Sequence, residues 1–541
     1  MRRPTIPAVF RELAEEPGSL PVLVVAAVSL FAAGLDPKVY SPGLTTVQDA
    51  VAARPGLELL LLGSSLIGAG LLFVGGVLGD TVGRRSILIG ALSVLVFTGF
   101  SGLVLGDGPL FVASRFLATA AANTVLPFAF ALVATRYRGV PRATAIGVVY
   151  AAYGAAIAVS PVLLTVFGPA GSRWPAFLAA GVGAVVALGI ALRRTPDLVV
   201  DDPSERPYVI GTAVWAFAIV VVTMGALGFG NGLADPLRLA FLGAGLALGL
   251  AFRAWERRRS RRVGTSSIHV DRRPVTVAVA VGVVIGFAQA APMLELPLFF
   301  QLILRYGPLL AALATAPFVV ALIAAGPVAG VLLARFGPRT LVAGGVGAVG
   351  LGNFVIAFVL SPSASYALLV IPFALIGAGF VIATTVRTAI IFASVSRGLP
   401  ATAAALNEAS VQVGTRVGII VVTVLVGRLA LDGYAATLVG LDPAHRDAAL
   451  GAFRDVMAAV GTPSLGQLTG AVGPDDVAAY ASSYTEALRM SLAFTGLVAV
   501  AAAPLAWIAL GARDPLKTVW EHQDERPEPV SAARPAGRAT P

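Results

Sequence analysis

The stretch Gly76-Val-Leu-Gly-Asp80-Thr-Val-Gly83-Arg84-Arg85 separates two apolar runs, each of which is long enough to cross a lipid bilayer. It predicts a very short polar hairpin between two membrane helices. The two glycines allow the backbones to approach and turn. The two arginines place the hairpin on the cytoplasmic side by the positive-inside rule. The hairpin therefore predicts a helical protein that crosses the membrane several times.

A second copy of the hairpin follows after an offset of 254 residues, as Gly330-Val-Leu-Leu-Ala334-Arg-Phe-Gly337-Pro-Arg339. Both glycines and the last arginine of the first copy are repeated, whereas Asp80 is replaced by Ala334. Internal repeats of this kind are typical of transporters built from two equivalent helical bundles. The sequence therefore predicts two bundles, each with one hairpin.

The composition supports a membrane protein. The 541 residues are 57% hydrophobic and only 13% charged, with a mean hydropathy of +0.86, which is more apolar surface than a soluble core can bury. The net charge of +10 comes from arginines clustered in short loops, so we expect no nucleic-acid partner.

The same composition limits the chemistry of the chain. It has no cysteine and three scattered histidines, so we expect no metal site. Its two lysines lie outside any phosphate-binding loop, so we expect no cofactor and no ATPase activity. We also find no Ser/His/Asp arrangement of an enzyme. Energy for pumping would come from an ion gradient or from a partner.

Because about twenty apolar residues span a bilayer, the sequence predicts fourteen membrane helices. The loops between them alternate between Arg-rich and nearly uncharged, which places the Arg-rich loops and both termini in the cytoplasm. The predicted helices cover 20–44, 57–79, 87–106, 109–134, 143–167, 174–192, 208–230, 236–253, 274–300, 308–333, 340–360, 365–392, 404–429 and 486–511.

The hairpin closely resembles the signature G-x-L-x-D-x-x-G-R-R/K between helices 2 and 3 of major facilitator superfamily transporters. The chain as a whole resembles the fourteen-helix branch of that superfamily, which is best known for drug–proton antiporters. Further matches are Leu35-Asp36 in predicted helix 1, the segment from Leu296 to Gln301 and the segment from Leu406 to Gly418.

The resemblance implies an all-α polytopic membrane protein with the major facilitator superfamily fold. Its fourteen helices would form two six-helix bundles with a two-helix insertion between them. The expected divisions are a cytoplasmic segment 1–19, a first bundle 20–194, a linker 195–271 with helices 7 and 8, a second bundle 272–511 with an external loop 430–485, and a disordered tail 512–541.

The resemblance also implies a function. We expect a monomer in the plasma membrane that exports a small amphipathic compound or drug in exchange for protons, by rocking of the two bundles. An importer or facilitator of an anionic solute is the alternative, since arginines occur inside three predicted helices. A non-transporting membrane sensor is the third interpretation.

Ionisable residues inside a bilayer are costly and indicate function. Asp36 and Glu295 are the predicted proton-coupling or substrate-binding carboxylates, although each could instead lie at the outer membrane interface. Gln289 lies close before Glu295 in the same helix. Arg115 matches the family arginine of helix 4, which is implicated there in proton transfer. It is expected to tune a nearby carboxylate, or to form a structural pair with Asp36.

Two further arginines lie inside predicted helices 12 and 13. Arg387 and Arg416 are expected either to extend towards the cytoplasm or to line a cationic site, and Glu408 could be the partner of Arg416. In relatives the hairpin holds the bundles together at the cytoplasmic side. The gating residues predicted by this resemblance are Gly76, Asp80, Gly83, Arg84, Arg85, Gly330, Gly337 and Arg339.

Overall fold

The fold was obtained as a computed structural model. The residues it describes are 11, 13, 19–36, 83–105, 109–166, 174–195, 221, 240, 243–251, 254, 255, 258, 272–394, 400–439, 442–458 and 474–511. Four sets of predictions lie outside these residues. They are helix 57–79 with nearly all of 208–230, part of 236–253, the gating residues Gly76 and Asp80, and the tail 512–541.

The described chain is helical. The helices are α1 Ser19–Leu35, α2 Arg84–Val104, α3 Pro109–Arg136, α4 Gly139–Val166, α5 Trp174–Arg194, α6 Arg272–Ala290, α7 Leu296–Leu302, α8 Pro308–Leu313, α9 Ala316–Phe336, α10 Pro338–Val359, α11 Ala367–Ser394, α12 Pro400–Thr437, α13 Pro443–Ala458 and α14 Pro474–Leu510. A π-helical turn, Ala291–Glu295, joins α6 to α7, and Pro292 stands within it.

Ten helices among the described residues are long and apolar enough to cross a membrane, and α6, the π turn and α7 together form one of them. Most begin and end within about five residues of the predicted bounds, because the length of an apolar run sets where a helix can leave the bilayer. Helix α1 ends at Leu35, well before the predicted residue 44. The total of fourteen helices stays a prediction.

The segment expected to be an external loop, 430–485, is largely helical where it is described. Helix α12 runs on to Thr437, α13 covers Pro443–Ala458, and α14 already begins at Pro474. The 38 residues of α12 span about 57 Å, compared with about 30 Å for the hydrocarbon core of a bilayer. Helix α12 therefore extends well beyond the membrane at its C-terminal end.

The helices pack as two groups. Helices α1–α5 contact mainly one another and form the first group, whereas α6–α12 and α14 form the second group. The main contact between the groups is α4 against α9. Gly147 and Gly326 make this contact possible, because a Cβ atom on either one would collide with the carbonyl group of the other.

The two copies of the hairpin share local geometry. Gly83 precedes α2 with φ 117°, and Gly337 precedes α10 with φ 77°, both in the region that favours glycine. Arg85 Nη2 donates to the carbonyl oxygen of Leu192 at 3.1 Å, near the end of α5. Arg339 Nη1 donates to that of Gly511 at 3.2 Å, just after α14. Each hairpin arginine thus caps the last helix of its own group.

Candidate functional site

The arginine-containing ends of the helices gather on one side of the molecule, which we call the Arg-rich end. It includes the start of α2, α4, α10 and α12 and the end of α3, α5, α9 and α11. The other side is called the opposite end. A residue's depth follows from its position along the helix, at about 1.5 Å per residue.

Asp36 and Arg115 form an ion pair within the first group, near the opposite end. Arg115 Nη1 lies 3.0 Å from Asp36 Oδ1, and the two side chains are only 2% and 11% exposed. Arg115 also donates to the carbonyl oxygen of Thr98. Its guanidinium carbon lies 4.5 Å from the ring centre of Phe177 and 5.5 Å from that of Phe111. The pair that the sequence left as an alternative is therefore present.

Glu295 lies in the π turn and is 3% exposed. Its Oε1 accepts a hydrogen bond from Thr423 Oγ1 at 3.0 Å, and its Oε2 accepts one from the Tyr484 hydroxyl at 3.1 Å. All three residues belong to the second group. Glu295 lies about 35 Å along its membrane span from the Arg-rich end, near the boundary of the hydrocarbon core. The side chain is buried in protein even though its depth is close to the interface.

Gln289 lies one and a half turns before Glu295 but is not hydrogen-bonded to it. Its Oε1 is buried and accepts no hydrogen bond from the described part of the chain. Arg416 lies on α12, one turn beyond Gln412 and towards the opposite end. Its flanking residues Gly414 and Gly418 pack against Val283 and Phe287 of α6, which places Arg416 at the depth of Gln289.

Arg387 does not extend towards the Arg-rich end, so that prediction is wrong. Its side chain is 0% exposed. Arg387 Nη1 donates to Ser410 Oγ at 2.9 Å, and Nη2 donates to the carbonyl oxygen of Asn407 at 2.9 Å. Gly282 on α6 leaves the space for this arrangement, because a Cβ there would collide with Arg387 and Ser410. Hydrogen bonds to Ser410 and to the Asn407 backbone therefore hold the Arg387 guanidinium inside the second group.

Glu408 joins the two groups. Its Oε1 accepts a hydrogen bond from the Tyr150 hydroxyl on α4 at 2.5 Å and another from Asn407 Nδ2 at 2.8 Å. Thr388 Oγ1 donates to Asn407 Oδ1 at 3.0 Å. Glu408 is therefore bonded to Tyr150 and Asn407, where the sequence suggested Arg416.

Sequence reasoning did not identify Tyr150, since one tyrosine in an apolar helix carries no distinctive pattern. The adjacent polar pair Asn407-Glu408, inside a helix of small apolar residues, was the available signal.

Asn407 Nδ2 also donates to the Tyr150 hydroxyl at 3.2 Å, and a further hydrogen bond between the groups lies deeper in the membrane. Gln412 Nε2 on α12 donates to Asn123 Oδ1 on α3 at 3.0 Å. Both residues lie about 20 Å along their helices from the Arg-rich end. Nearer that end, α3 is almost completely buried from Val125 to Val133, and a Cβ atom on Gly330 of α9 would collide with Thr144 of α4. The groups are therefore closed against each other in the Arg-rich half.

No metal centre emerges within the described ranges, where no three His, Asp or Glu side chains converge. The chemistry that this arrangement offers is exchange of protons on buried carboxylates and rearrangement of hydrogen bonds between helices.

The family model described as Major Facilitator Superfamily matches residues 26–419.

The multidrug efflux pump LfrA of Mycolicibacterium smegmatis is 26% identical over 416 residues, which cover 74% of this chain and 78% of that protein. The probable actinorhodin transporter of Streptomyces coelicolor is 27% identical over 429 residues, covering 73% and 70%. The MFS-type transporter EfpA of Mycobacterium tuberculosis is 26% identical over 342 residues; the chain spans about 61% of that relative's length and is itself covered to 60%.

Two solved structures share the fold. One is the proton:xylose symporter XylE bound to 6-bromo-6-deoxy-D-glucose, with a TM-score of 0.57, 15% identity and coverage of 93% of this chain and 98% of that one. The other is the human organic anion transporter MFSD10, with a TM-score of 0.52, 12% identity and coverage of 89% and 99%. At these identities the likeness concerns the fold alone.

Proposed function

The chain belongs to the major facilitator superfamily and is a multi-pass membrane transporter, and we propose that it exports a small amphipathic compound in exchange for protons. The observation that carries this proposal is the interface between the two helical groups. Side-chain hydrogen bonds join the groups at this interface, it is closed in the Arg-rich half, and one of its bonds ends on the buried carboxylate of Glu408. Rocking of the two groups about such an interface would expose a central site to each side of the membrane in turn.

The direction of transport is proposed from the relatives. A multidrug efflux pump and a probable actinorhodin transporter match most of this chain. The Arg-rich end would face the cytoplasm by the positive-inside rule, with both termini there. In that orientation the described state is closed to the cytoplasm, and a monomer in the plasma membrane would release its compound outside.

The carboxylates proposed to exchange protons are Asp36 and Glu295. Proton uptake by Asp36 would release Arg115, which can then rearrange, so Arg115 is proposed to tune this step. Glu295 accepts hydrogen bonds from two hydroxyl groups, which can also accept from a protonated carboxyl group. Glu295 can therefore change charge with its partners in place, whereas protonation of Asp36 would break its pairing with Arg115.

The arginines give little support to a carrier of anions. Arg115 is paired with Asp36, and Arg387 is held by Ser410 and backbone carbonyl oxygens. Binding of an anion by either guanidinium would require it to give up these buried partners, which is costly. We therefore keep the export of an amphipathic compound as the proposed function.

The proposal is tested with the purified protein in proteoliposomes that carry an imposed pH gradient. A panel of cationic, neutral and anionic amphipathic dyes is offered while internal pH and dye are recorded together. We expect at least one dye to move against the proton flux. Dye movement that is independent of the pH gradient would instead identify a facilitator and overturn the proton-coupled proposal.

A further inference from the structure

Glu408 differs from Asp36 and Glu295 in what it holds together. Asp36 pairs with Arg115, and Glu295 accepts from Thr423 and Tyr484, in each case within one helical group. Glu408 on α12 instead accepts from Tyr150 on α4, across the boundary between the groups. A proton can shift the balance between two conformations only if its binding site makes different contacts in each. Glu408 meets that condition, because separating the groups would break its bond to Tyr150.

The hydrogen bonds around Glu408 suit an ionised carboxylate, because both donors meet an acceptor oxygen. Two donors point at the same oxygen, and the hydroxyl of Tyr150 lies 2.5 Å from it. Distances of about 2.5–2.7 Å are typical of a hydroxyl donating to a carboxylate, a stronger bond than one between neutral groups. Glu408 is 7% exposed and Tyr150 is 6% exposed, so bulk water competes little with this bond.

The positive charge that faces Glu408 belongs to Arg387 on α11. It interacts electrostatically with both Glu408 and Tyr150. Arg387 is itself fixed by Ser410 and by the carbonyl oxygen of Asn407. On its own helix, the next charged residue towards the opposite end is Arg416, two turns further on. The other cations on α3, α4 and α6 lie towards the two ends of these helices. Arg136, Arg142, Arg272 and Arg273 stand at the Arg-rich end, and Arg115 stands near the opposite end, where it pairs with Asp36.

We propose that Glu408 and Tyr150 form a proton-sensitive latch that holds the two helical groups closed in the Arg-rich half. This inference rests on the proposed proton-coupled function and names a further residue for it. A proton taken up from water adds to the Glu408 carboxylate, and the charge that strengthens the Tyr150 bond is lost. The groups then separate, and release of the proton to water restores the ionised latch.

The latch fits the cycle of an exporter. Protonated Glu408 allows the Arg-rich half to open, where the proton can leave and the compound can enter. Ionised Glu408 then draws Tyr150 back, so the loaded protein closes this half and can open at the opposite end. The bond between Asn123 and Gln412 also joins the groups but contains no group that titrates near neutral pH. It provides the matched control for the latch.

The test measures the separation of the groups with pairs of spin labels in proteoliposomes. The chain has no cysteine, so labels go only where cysteines are introduced. Arg138→Cys with Arg335→Cys reports on the Arg-rich end, because both residues are exposed there. Leu110→Cys with Leu310→Cys reports on the opposite end in the same way, since both are more than half exposed.

In the otherwise unchanged protein, the separation at the Arg-rich end is expected to increase as the pH is lowered. Glu408→Gln imitates the protonated carboxyl group, so its open population should be raised about tenfold at neutral pH and no longer respond to pH. Tyr150→Phe should give a similar increase while the protein keeps Glu408. A variant that combines Glu408→Gln with Tyr150→Phe should show no larger open population than either substitution alone.

The matched control is Asn123→Ala with Gln412→Ala, which is expected to open the groups but to keep the response to pH. A pH response that persists in Glu408→Gln, or separations in Tyr150→Phe equal to those of the unchanged protein, would overturn the latch. Dye flux separates the two proposals. If pH controls the separation but no dye exchanges with protons, the proposed function fails and the latch stands.

Discussion

Asp36 and Glu295 are buried carboxylates on the first helical span of each group, near the same end of the molecule, yet their surroundings differ. Asp36 is paired with Arg115, a cation that is itself 2% exposed. Glu295 instead accepts hydrogen bonds from the neutral hydroxyl groups of Thr423 and Tyr484. The two groups therefore stabilise a carboxylate in different ways, by opposite charge in the first and by neutral donors in the second.

Because of this difference, substitutions at the two carboxylates should affect protein stability and transport to different extents. Loss of the charge on Asp36 leaves Arg115 buried without its carboxylate, and an uncompensated buried charge is costly. Loss of the charge on Glu295 leaves two hydroxyl groups that can bond equally well to a neutral group. Substitutions at Asp36 are thus expected to damage the fold as well as transport, while those at Glu295 should act mainly on transport.

The largest effect is expected from Asp36→Asn. Breaking a buried ion pair by removing one partner costs about 3 kcal/mol, because Arg115 loses its counter-charge. Thermal unfolding in detergent should show a clear loss of stability, and proton-driven dye transport should be lost. Adding Arg115→Met to Asp36→Asn should recover much of the stability without recovering transport. If Asp36→Asn unfolds at the same temperature as the unchanged protein, the proposed difference in stability between substitutions at Asp36 and at Glu295 is wrong.

A smaller effect on stability is expected from Glu295→Gln. The amide can exchange hydrogen bonds with both Thr423 and Tyr484, so the free energy of unfolding should change by no more than about 1 kcal/mol. Transport driven by a pH gradient should nevertheless be lost, since the amide cannot carry a proton. Tyr484→Phe is the control, because it removes one donor and keeps the carboxyl group. Intact pH-driven flux in Glu295→Gln would exclude Glu295 from proton coupling.

The hairpin arginines should give a still smaller effect, similar in the two groups. Arg85→Met and Arg339→Met each remove a hydrogen bond to the end of a helix, at a cost of about 0.5–1 kcal/mol. Arg339 also lies over the ring of Trp507, with 3.2 Å between its guanidinium carbon and the ring centre. We expect Arg339→Met to be the more destabilising of the two in thermal unfolding. If Arg85→Met is the more destabilising, the contact between Arg339 and the Trp507 ring adds nothing to the stability of the protein.

The smallest effect is expected from Ala334→Asp, at the position where the two hairpins differ. Asp80 in the first copy corresponds to Ala334 in the second, and Ala334 is exposed. Asp80→Asn should shift the balance between the two open states and impair transport, whereas Ala334→Asp should change neither. The spin-label pair at the Arg-rich end measures this balance. Equal shifts from both substitutions would show that the two hairpins contribute alike.

The positions of the helices could be predicted from the sequence because they follow from the lengths of apolar runs. The repeat could also be predicted, since Gly83 and Gly337 occupy the same position in both hairpins and both take positive φ values. Family membership followed from these hairpins and is confirmed by the match to residues 26–419.

The partners of the buried charges could be predicted less well, because they depend on how helices far apart in the chain are rotated. Asp36 and Arg115 could be suggested as a pair from their similar depth. Arg387 was expected to reach towards water, but Gly282 on a neighbouring helix leaves room for it inside. The bond from Tyr150 to Glu408 spans 258 positions of the chain, and no local pattern indicates it.

The central claim is that the compound and protons move in opposite directions through one coupled cycle. The most direct measurement uses proteoliposomes with the same pH on both sides and a transported dye enriched inside. Efflux of the dye down its gradient should then drive protons inward, so the internal pH should fall at first and recover when an uncoupler is added. The same dye efflux with no change of internal pH would contradict the account.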